Sequence, residues 1–386
     1  MFEITHNRNI FCGEGSISQV ENVITAINAR KLFILAYSQD APALKDVISA
    51  AGKANADTYI CDIVQDEPDL TIVDRLAAVM NENKCDAVLA LGGGSVLDAA
   101  KAAAMIATNG GTAEEYQMQG RGISMPSLPL IMVPTTAGTG SESTKTAVIC
   151  NKKLDLKKSF YSPHMIAATV ILDPAVTVAL PSKVTAFTGI DALSHGIESY
   201  VSLNANVYTK MYSLKAIELV GKSLASAVAD GTDMNARADM LYASYFAGCA
   251  LHAGIGLAHI IAQPLGGLFK IPHGEACSIF LPYAMEFNLD NCVKEYCEIG
   301  RALGLELKGE SAENAKLAIE KVKELISTVG TATSIRPFVA AVGAELDSAG
   351  LDKTVEFVTQ ATGHIKCNPR PVDAAVVKDV VARAAL

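Results

Sequence analysis

The chain has 386 residues, room for two domains of ordinary size, and half of them are hydrophobic, so a large core can be buried. A net charge of −9 without any basic run excludes the usual footprint of a nucleic-acid binder. Nine cysteines with no C-x-x-C pair point to reduced thiols rather than a disulfide framework.

The first ten residues are polar and charged and lack the apolar core of a secretory signal, so a cytoplasmic protein is expected. Ile17, Val20, Val23, Ile24 and Ile27 recur at helical spacing. Leu32–Ala36 is a short apolar run suited to a buried parallel strand. A helix is predicted over Pro42–Ala51, a strand over Thr58–Ile60, and an amphipathic helix through Leu70, Val73, Leu76, Ala77 and Met80. Ala87–Leu91 and Leu130–Val133 are further buried strands. This alternation implies an α/β, Rossmann-like N-terminal domain with a parallel sheet and helices on both faces.

From Ser182 onward strand signals nearly vanish and helical stripes dominate, as in Ala315, Ile319, Val322 and Ile326, with Gly330 as a C-cap. The expected division is therefore a nucleotide-binding α/β domain over residues 1–181 and an all-α, metal-binding domain over residues 182–386. Cys249–Phe269 is long and apolar enough to resemble a membrane span. It carries His252, His259, Gln263 and Pro264, so a buried core segment is the better reading, and no membrane partner is expected.

Two loops follow predicted strands. Gly92-Gly93-Gly94-Ser95 lies between Ala87–Leu91 and a helix beginning near Val96. Glycines let backbone approach a ligand, and a helix N-terminus offers free N–H groups to a pyrophosphate. Many tight strand–helix turns need glycine too, and this is not the G-x-G-x-x-G fingerprint. Asp98 and Lys101 fall on the first turns of that helix, where a solvated face and a ligand contact are equally open. Pro134-Thr135-Thr136-Ala137-Gly138-Thr139-Gly140-Ser141-Glu142 is dense in hydroxyls and glycines that can wrap a nucleotide.

The second half holds a different chemistry. Asp191 and His195 are four apart, hence on one helical face. His259 and His273 arrive later from apolar surroundings, and one carboxylate with three imidazoles suffices for a divalent transition metal. A D-x-x-x-H spacing alone is common, and a histidine in an apolar run is more often a hydrogen-bonded core residue.

GIDALSHGIESYVS, GIGLAHIIAQPLGG and IPHGEA resemble the metal-binding segments of the iron-dependent (group III) alcohol dehydrogenases, and GGGSVLDAAK with PTTAGTGSE resembles their cofactor segments. The likeness runs from about Phe11 to the NPRPV stretch. It implies Asp191, His195, His259 and His273 as metal ligands, with Fe²⁺ the usual metal and Zn²⁺ compatible with the donors. It also implies NAD or NADP contacts at Gly92, Gly93, Gly94, Ser95, Asp98, Thr135, Thr136 and Thr139, and at Lys157 near the nicotinamide ribose. Family members are usually dimers or larger.

Three positions depart from the pattern. The acid often found after the strand matching Leu32–Ala36 for the ribose hydroxyl is replaced by Tyr37 and Ser38, with Asp40 beyond, which leaves NADP(H) as open as NAD(H). Gln263 stands where many members carry a histidine near the nicotinamide. His252 stands in a segment where many carry asparagine. Gln263 cannot titrate near neutrality, so His252 becomes a candidate proton relay, its alternative being a packed core side chain.

The resemblance implies a metal-dependent NAD(P) alcohol dehydrogenase or aldehyde reductase for a small primary alcohol or aldehyde. The metal lowers the pKa of the bound hydroxyl, and the alkoxide releases a hydride to the nicotinamide. The site candidates for that chemistry are His259, His252 and Gln263. Alternatives on the same fold are a 4-hydroxybutyrate (semialdehyde) dehydrogenase, with Lys145 as the substrate's countercharge, a non-redox lyase like dehydroquinate synthase, or a metal-loaded assembly subunit.

Overall fold

The computed structural model describes residues 2–154, 156–344, 348–360 and 366–385. The chain divides into two compact units, Met1–Leu180 and Pro181–Leu386.

The first unit is built on six parallel strands: β1 (Asn9–Cys12), β2 (Lys31–Ala36), β3 (Asp57–Cys61), β4 (Ala87–Gly92), β5 (Leu130–Pro134) and, later in the chain, β8 (Thr169–Leu172). Their spatial order is β1-β8-β5-β4-β2-β3, so β4 lies inside the sheet, with Ala90 opposite both Leu35 of β2 and Met132 of β5. Alternate side chains divide the sheet into two faces. Leu32, Ile34, Leu89, Leu91 and Val133 pack under α1 (Val20–Ala26) and α2 (Leu44–Lys53). On β4 every residue is buried, which is why its sequence is an unbroken apolar run rather than an alternating one.

Helix α3 (Leu70–Glu82) packs on α4 (Gly94–Asn109), and α4 packs on β4 and β5. Asp69 caps α3, its side chain accepting from the Ile72 N–H at 2.8 Å. A short α5 (Ala113–Met118) follows. An antiparallel hairpin that periodicity did not announce, β6 (Thr146–Asn151) with β7 (Leu156–Tyr161), stands outside the main sheet.

The second unit is helical throughout its described residues: α6 (Ser182–Val201), α7 (Val207–Ala229), α8 (Met234–Ala250), α9 (Leu257–Phe269), α10 (His273–Asn288), α11 (Val293–Ala302), α12 (Ala312–Val329), α13 (Arg336–Ala341), α14 (Ser348–Gln360) and α15 (Ala374–Ala384). Gly330 ends α12 with φ of 71°, the left-handed cap that its position suggested. The chain bends by 106° between α8 and α9, at Gly254–Gly256, and no single described helix is long and apolar enough to cross a membrane.

Helix α6 is the axis of this unit. Every residue from Gly189 to Val201 is buried, because α7, α8 and α10 all pack on it. The N-terminus of α10 sits so close that a Cβ on Gly274 would stand 2.2 Å from the Phe187 carbonyl oxygen. Only glycine allows that approach, and it fixes His273, the first residue of α10, beside α6. Gly274→Ala should therefore push the two helices apart, cost about 1–3 kcal/mol as an overpacking change, and lower the metal content of the purified protein. Thermal denaturation with metal analysis checks this; an unchanged midpoint and metal content would show that the contact is loose.

Candidate functional site

Polar groups on α6 follow one stripe: Asp191, His195 and Glu198 stand at positions i, i+4 and i+7. Helix α9 brings His259 to this stripe, and α10 brings His273 and Cys277, themselves four apart. Asp191 Oδ1 lies 3.3 Å from His259 Nε2, 3.6 Å from His273 Nε2 and 3.8 Å from His195 Nε2. The His195 and His259 rings stack with centroids 4.4 Å apart, and those of His259 and His273 are 5.3 Å apart. The three imidazoles expected as ligands therefore stand around Asp191 Oδ1, each within 3.8 Å of it.

Three of the four expected ligands are sealed from water. The side chains of Asp191 and His259 are 4% and 1% exposed, whereas that of His273 is 31% exposed and forms the open edge of the cluster. Burial alone would raise the Asp191 carboxyl, yet the imidazoles of His195, His273 and His259 outweigh it and hold it well below the usual carboxylate range. Asp191 Oδ1 and His259 Nε2 are fully buried and make no hydrogen bond. Two such atoms facing each other cost several kcal/mol unless a cation lies between them. A divalent metal fits this donor set of carboxylate and imidazole.

Glu198 is a residue that the sequence reading passed over. Its Oε2 accepts from His259 Nδ1 at 2.5 Å, and its Oε1 accepts from the Ala258 N–H at 2.7 Å. Helix α9 starts at Gly256 with no cap of its own, so a carboxylate from α6 satisfies its N-terminus. Burial opposes ionisation of Glu198, but the His259 ring and the Gly256 and Ala258 N–H groups outweigh it and hold its carboxyl low. With the proton on Nδ1, the Nε2 lone pair of His259 is left to face Asp191 and a metal. The spacing three residues after His195 was the available signal.

His252 and Gln263 are placed differently. His252 is half-buried in a short turn, Leu251–Ala253, with Nδ1 3.1 Å from the Cys249 carbonyl oxygen. Gln263 is half-buried one turn beyond His259 on α9 and precedes Pro264.

In the first unit the two loops pack directly on each other. A Cβ on Gly94 would stand 2.6 Å from Thr139 Cγ2, and one on Gly93 3.1 Å from Thr136 Cγ2. The Thr135 N–H donates to the Gly92 carbonyl at 3.0 Å. Gly93 caps α4 without any side-chain bond, so the first N–H groups of α4, including that of Ser95, stay available to an anion. Thr136, Thr139 and Ser95 remain half-exposed beside them.

Asp98 turns its carboxylate inward. It accepts from Ser141 Oγ at 2.6 Å and the Val148 N–H at 3.0 Å, and it pairs with Lys101 Nζ at 3.0 Å. Lys101 is completely buried and also donates to the Ser141 carbonyl at 2.8 Å, which corrects the solvated-face reading of that residue. Glu142 beside it is fully buried, and desolvation raises its carboxyl to about 7. Asp98 and Lys101 thus tie the second loop and hairpin β6–β7 to α4. Lys157 lies on β7 in an ion pair with Glu67, and the Lys145 ammonium sits 4.9 Å above the Tyr161 ring.

Two family profiles match almost the whole chain: "Iron-containing alcohol dehydrogenase" over residues 7–174 and "Fe-containing alcohol dehydrogenase family, C-terminal" over residues 185–385. The chain belongs to the iron-containing alcohol dehydrogenase family. It is 41% identical over 324 residues to the probable alcohol dehydrogenase EutG of Escherichia coli (strain K12), covering 83% of this chain and 80% of that one. It is 35% identical over 316 residues to the NAD-dependent methanol dehydrogenase of Bacillus methanolicus, covering 80% and 83%. Its fold superposes on a crystal structure of 1,3-propanediol oxidoreductase with a TM-score of 0.93 at 29% identity, over 100% of both chains.

The Glu198 contact generates a prediction. Glu198→Gln keeps the shape but removes the charge behind His259, and should weaken metal binding by about 10–100-fold, as the loss of a partner behind a metal-ligating histidine does. Chelator competition on the purified variant measures this, and unaltered affinity would assign Glu198 to helix capping alone.

Proposed function

We propose that this alcohol dehydrogenase holds its metal through Asp191, His195, His259 and His273, and its nicotinamide dinucleotide against Gly92, Gly93, Gly94, Ser95 and Thr135, Thr136, Thr139. The observation that carries the metal assignment is the buried pair Asp191 Oδ1 and His259 Nε2, which lack hydrogen bonds at the point where the four residues meet. When bound there, iron or zinc supplies Lewis-acid polarisation of the substrate oxygen. A dinucleotide supplies the hydride carrier.

The chain's own residues do the rest. Asp191 sets a negative charge against the cation, and Glu198 keeps His259 in the tautomer whose Nε2 is free to ligate. His273, partly exposed, forms an open edge by which a substrate oxygen can approach the centre. Leu257, Ile260 and Ile261 are buried on α9 on either side of His259, and this apolar setting agrees with a short, uncharged aldehyde or primary alcohol as substrate. Lys145, considered as a countercharge for a carboxylate-bearing substrate, rests 4.9 Å above the Tyr161 ring.

For the dinucleotide we favour NAD(H). The turn after β2 carries Asp40, and Gln39 Nε2 holds Asp62 Oδ1 at 3.1 Å beside the same turn. Two carboxylates there repel a ribose 2′-phosphate. A relative named as NAD-dependent agrees with this choice. Nine cysteines without a C-x-x-C pair are in keeping with a cytoplasmic enzyme. Leu203, Val207 and Met211 are exposed at the start of α7 and offer an apolar patch for a homo-oligomer.

The protein purified without oxygen and loaded with Fe²⁺ or Zn²⁺ should oxidise NADH faster than NADPH with propanal, butanal or lactaldehyde. His259→Ala should lower kcat/KM by roughly 10²–10³-fold, the several kcal/mol of Lewis-acid stabilisation converted at tenfold per about 1.4 kcal/mol. Turnover that survives chelation and His259→Ala alike would refute the metal assignment.

Proton release needs its own group, since Gln263 cannot titrate. His252 donates from Nδ1 to the Cys249 carbonyl, which leaves Nε2 as an acceptor. His252→Asn should flatten the pH–rate profile with little change in KM; an unaltered profile would return His252 to a packing role.

A further inference from the structure

Four donor atoms do not exhaust the metal centre. Cys277 lies one turn after His273 on α10, on the same helical face, and is completely buried. Its Sγ is 3.7 Å from His273 Nε2. The ligand atoms of Asp191, His259, His273 and Cys277 all lie within 4.8 Å of one another. A buried cysteine is ordinarily a small apolar filler. This one instead faces the space into which Asp191 Oδ1 and His259 Nε2 point without hydrogen-bond partners.

We infer that Cys277 is a fifth protein donor of the metal centre and tilts its selectivity from iron toward zinc. The inference rests on the metal-centre reading above and extends it. Sulfur is the softest donor in the cluster, and thiolate ligands favour zinc over harder ions. As the metal–sulfur bond forms, the Sγ–H bond breaks and its proton passes to solvent; no electron is transferred and no further reactant is needed.

The test uses the full-length protein loaded with zinc. X-ray absorption at the zinc edge should show one sulfur scatterer at about 2.3 Å among the nitrogen and oxygen ligands. Zinc with nitrogen and oxygen neighbours only would overturn the proposal while leaving the metal-centre reading intact. Failure to bind zinc or iron at all would overturn that reading and this proposal with it.

A second measurement is independent of zinc. The Co²⁺-loaded protein should show a sulfur-to-metal charge-transfer band in the near ultraviolet, lost in both Cys277→Ser and Cys277→Ala. The same variants should bind zinc at least about 10–100-fold more weakly, no less than the loss of an outer partner costs, while Fe²⁺ binding changes less. A band that persists in a folded variant, or an equal loss for both metals, would overturn the assignment. Should either variant fail to fold, the absorption spectrum of the unaltered protein decides alone.

Discussion

The second unit depends on what its buried carboxylates are paired with. Asp191 and Glu198 both sit inside the helical unit on one stripe of α6, and removing two such charges from water costs several kcal/mol each. Glu198 recovers part of that through two N–H groups and the His259 ring. Around Asp191 Oδ1 stand the imidazoles of His195, His259 and His273, with the Cys277 thiol close by. A divalent cation at the place proposed for the metal would offset the charge of these buried carboxylates. The same stripe on α6 serves both ends: Asp191 faces the ion, and Glu198 stands behind the ligand that comes from α9.

The first unit solves a different problem, how to leave backbone N–H groups uncovered without letting the loops collapse onto them. The two loops touch through glycine on one side and threonine on the other, Gly94 against Thr139 and Gly93 against Thr136. Behind that contact, Lys101 and Asp98 hold Ser141 and the start of β6 in place. Lys101 is fully buried and bonded to carbonyl oxygens and to Asp98, so its charge is spent on scaffolding rather than on a phosphate. Helix periodicity could not distinguish that inward lysine from a solvated one, because a single polar residue at an interior position looks the same in either setting.

Much of the architecture was legible in the chain. The runs Leu32–Ala36, Ala87–Leu91 and Leu130–Val133 became strands of the parallel sheet because a strand buried on both faces has no polar alternation. Strand β8 and hairpin β6–β7 were not anticipated. Thr169–Leu172 is only four residues long, and β7 carries the adjacent Lys157 and Lys158, which break the apolar pattern of a strand. Asp191, His195, His259 and His273 were legible by spacing and resemblance, and they converge. Glu198 and Cys277 were not, since neither extends a motif and each gains meaning only from what α9 and α10 place opposite it.

The two helix N-termini at these sites make the division of labour concrete. Helix α4 begins after Gly93 with no side-chain cap, and α9 begins after Gly256 with none of its own. At α9 an internal carboxylate, Glu198, occupies the positive end of the dipole, and the helix is thereby locked to α6 with His259 in a fixed tautomer. At α4 no internal anion takes that place, because Asp98, the nearest carboxylate on the helix, is directed at Ser141, Val148 and Lys101. An external anion is therefore accommodated at α4 and excluded at α9. On the assignment proposed above, that difference, set by which carboxylate lies nearby and where it points, would suit the start of α4 to a dinucleotide's pyrophosphate and leave the cluster beside α9 to a cation.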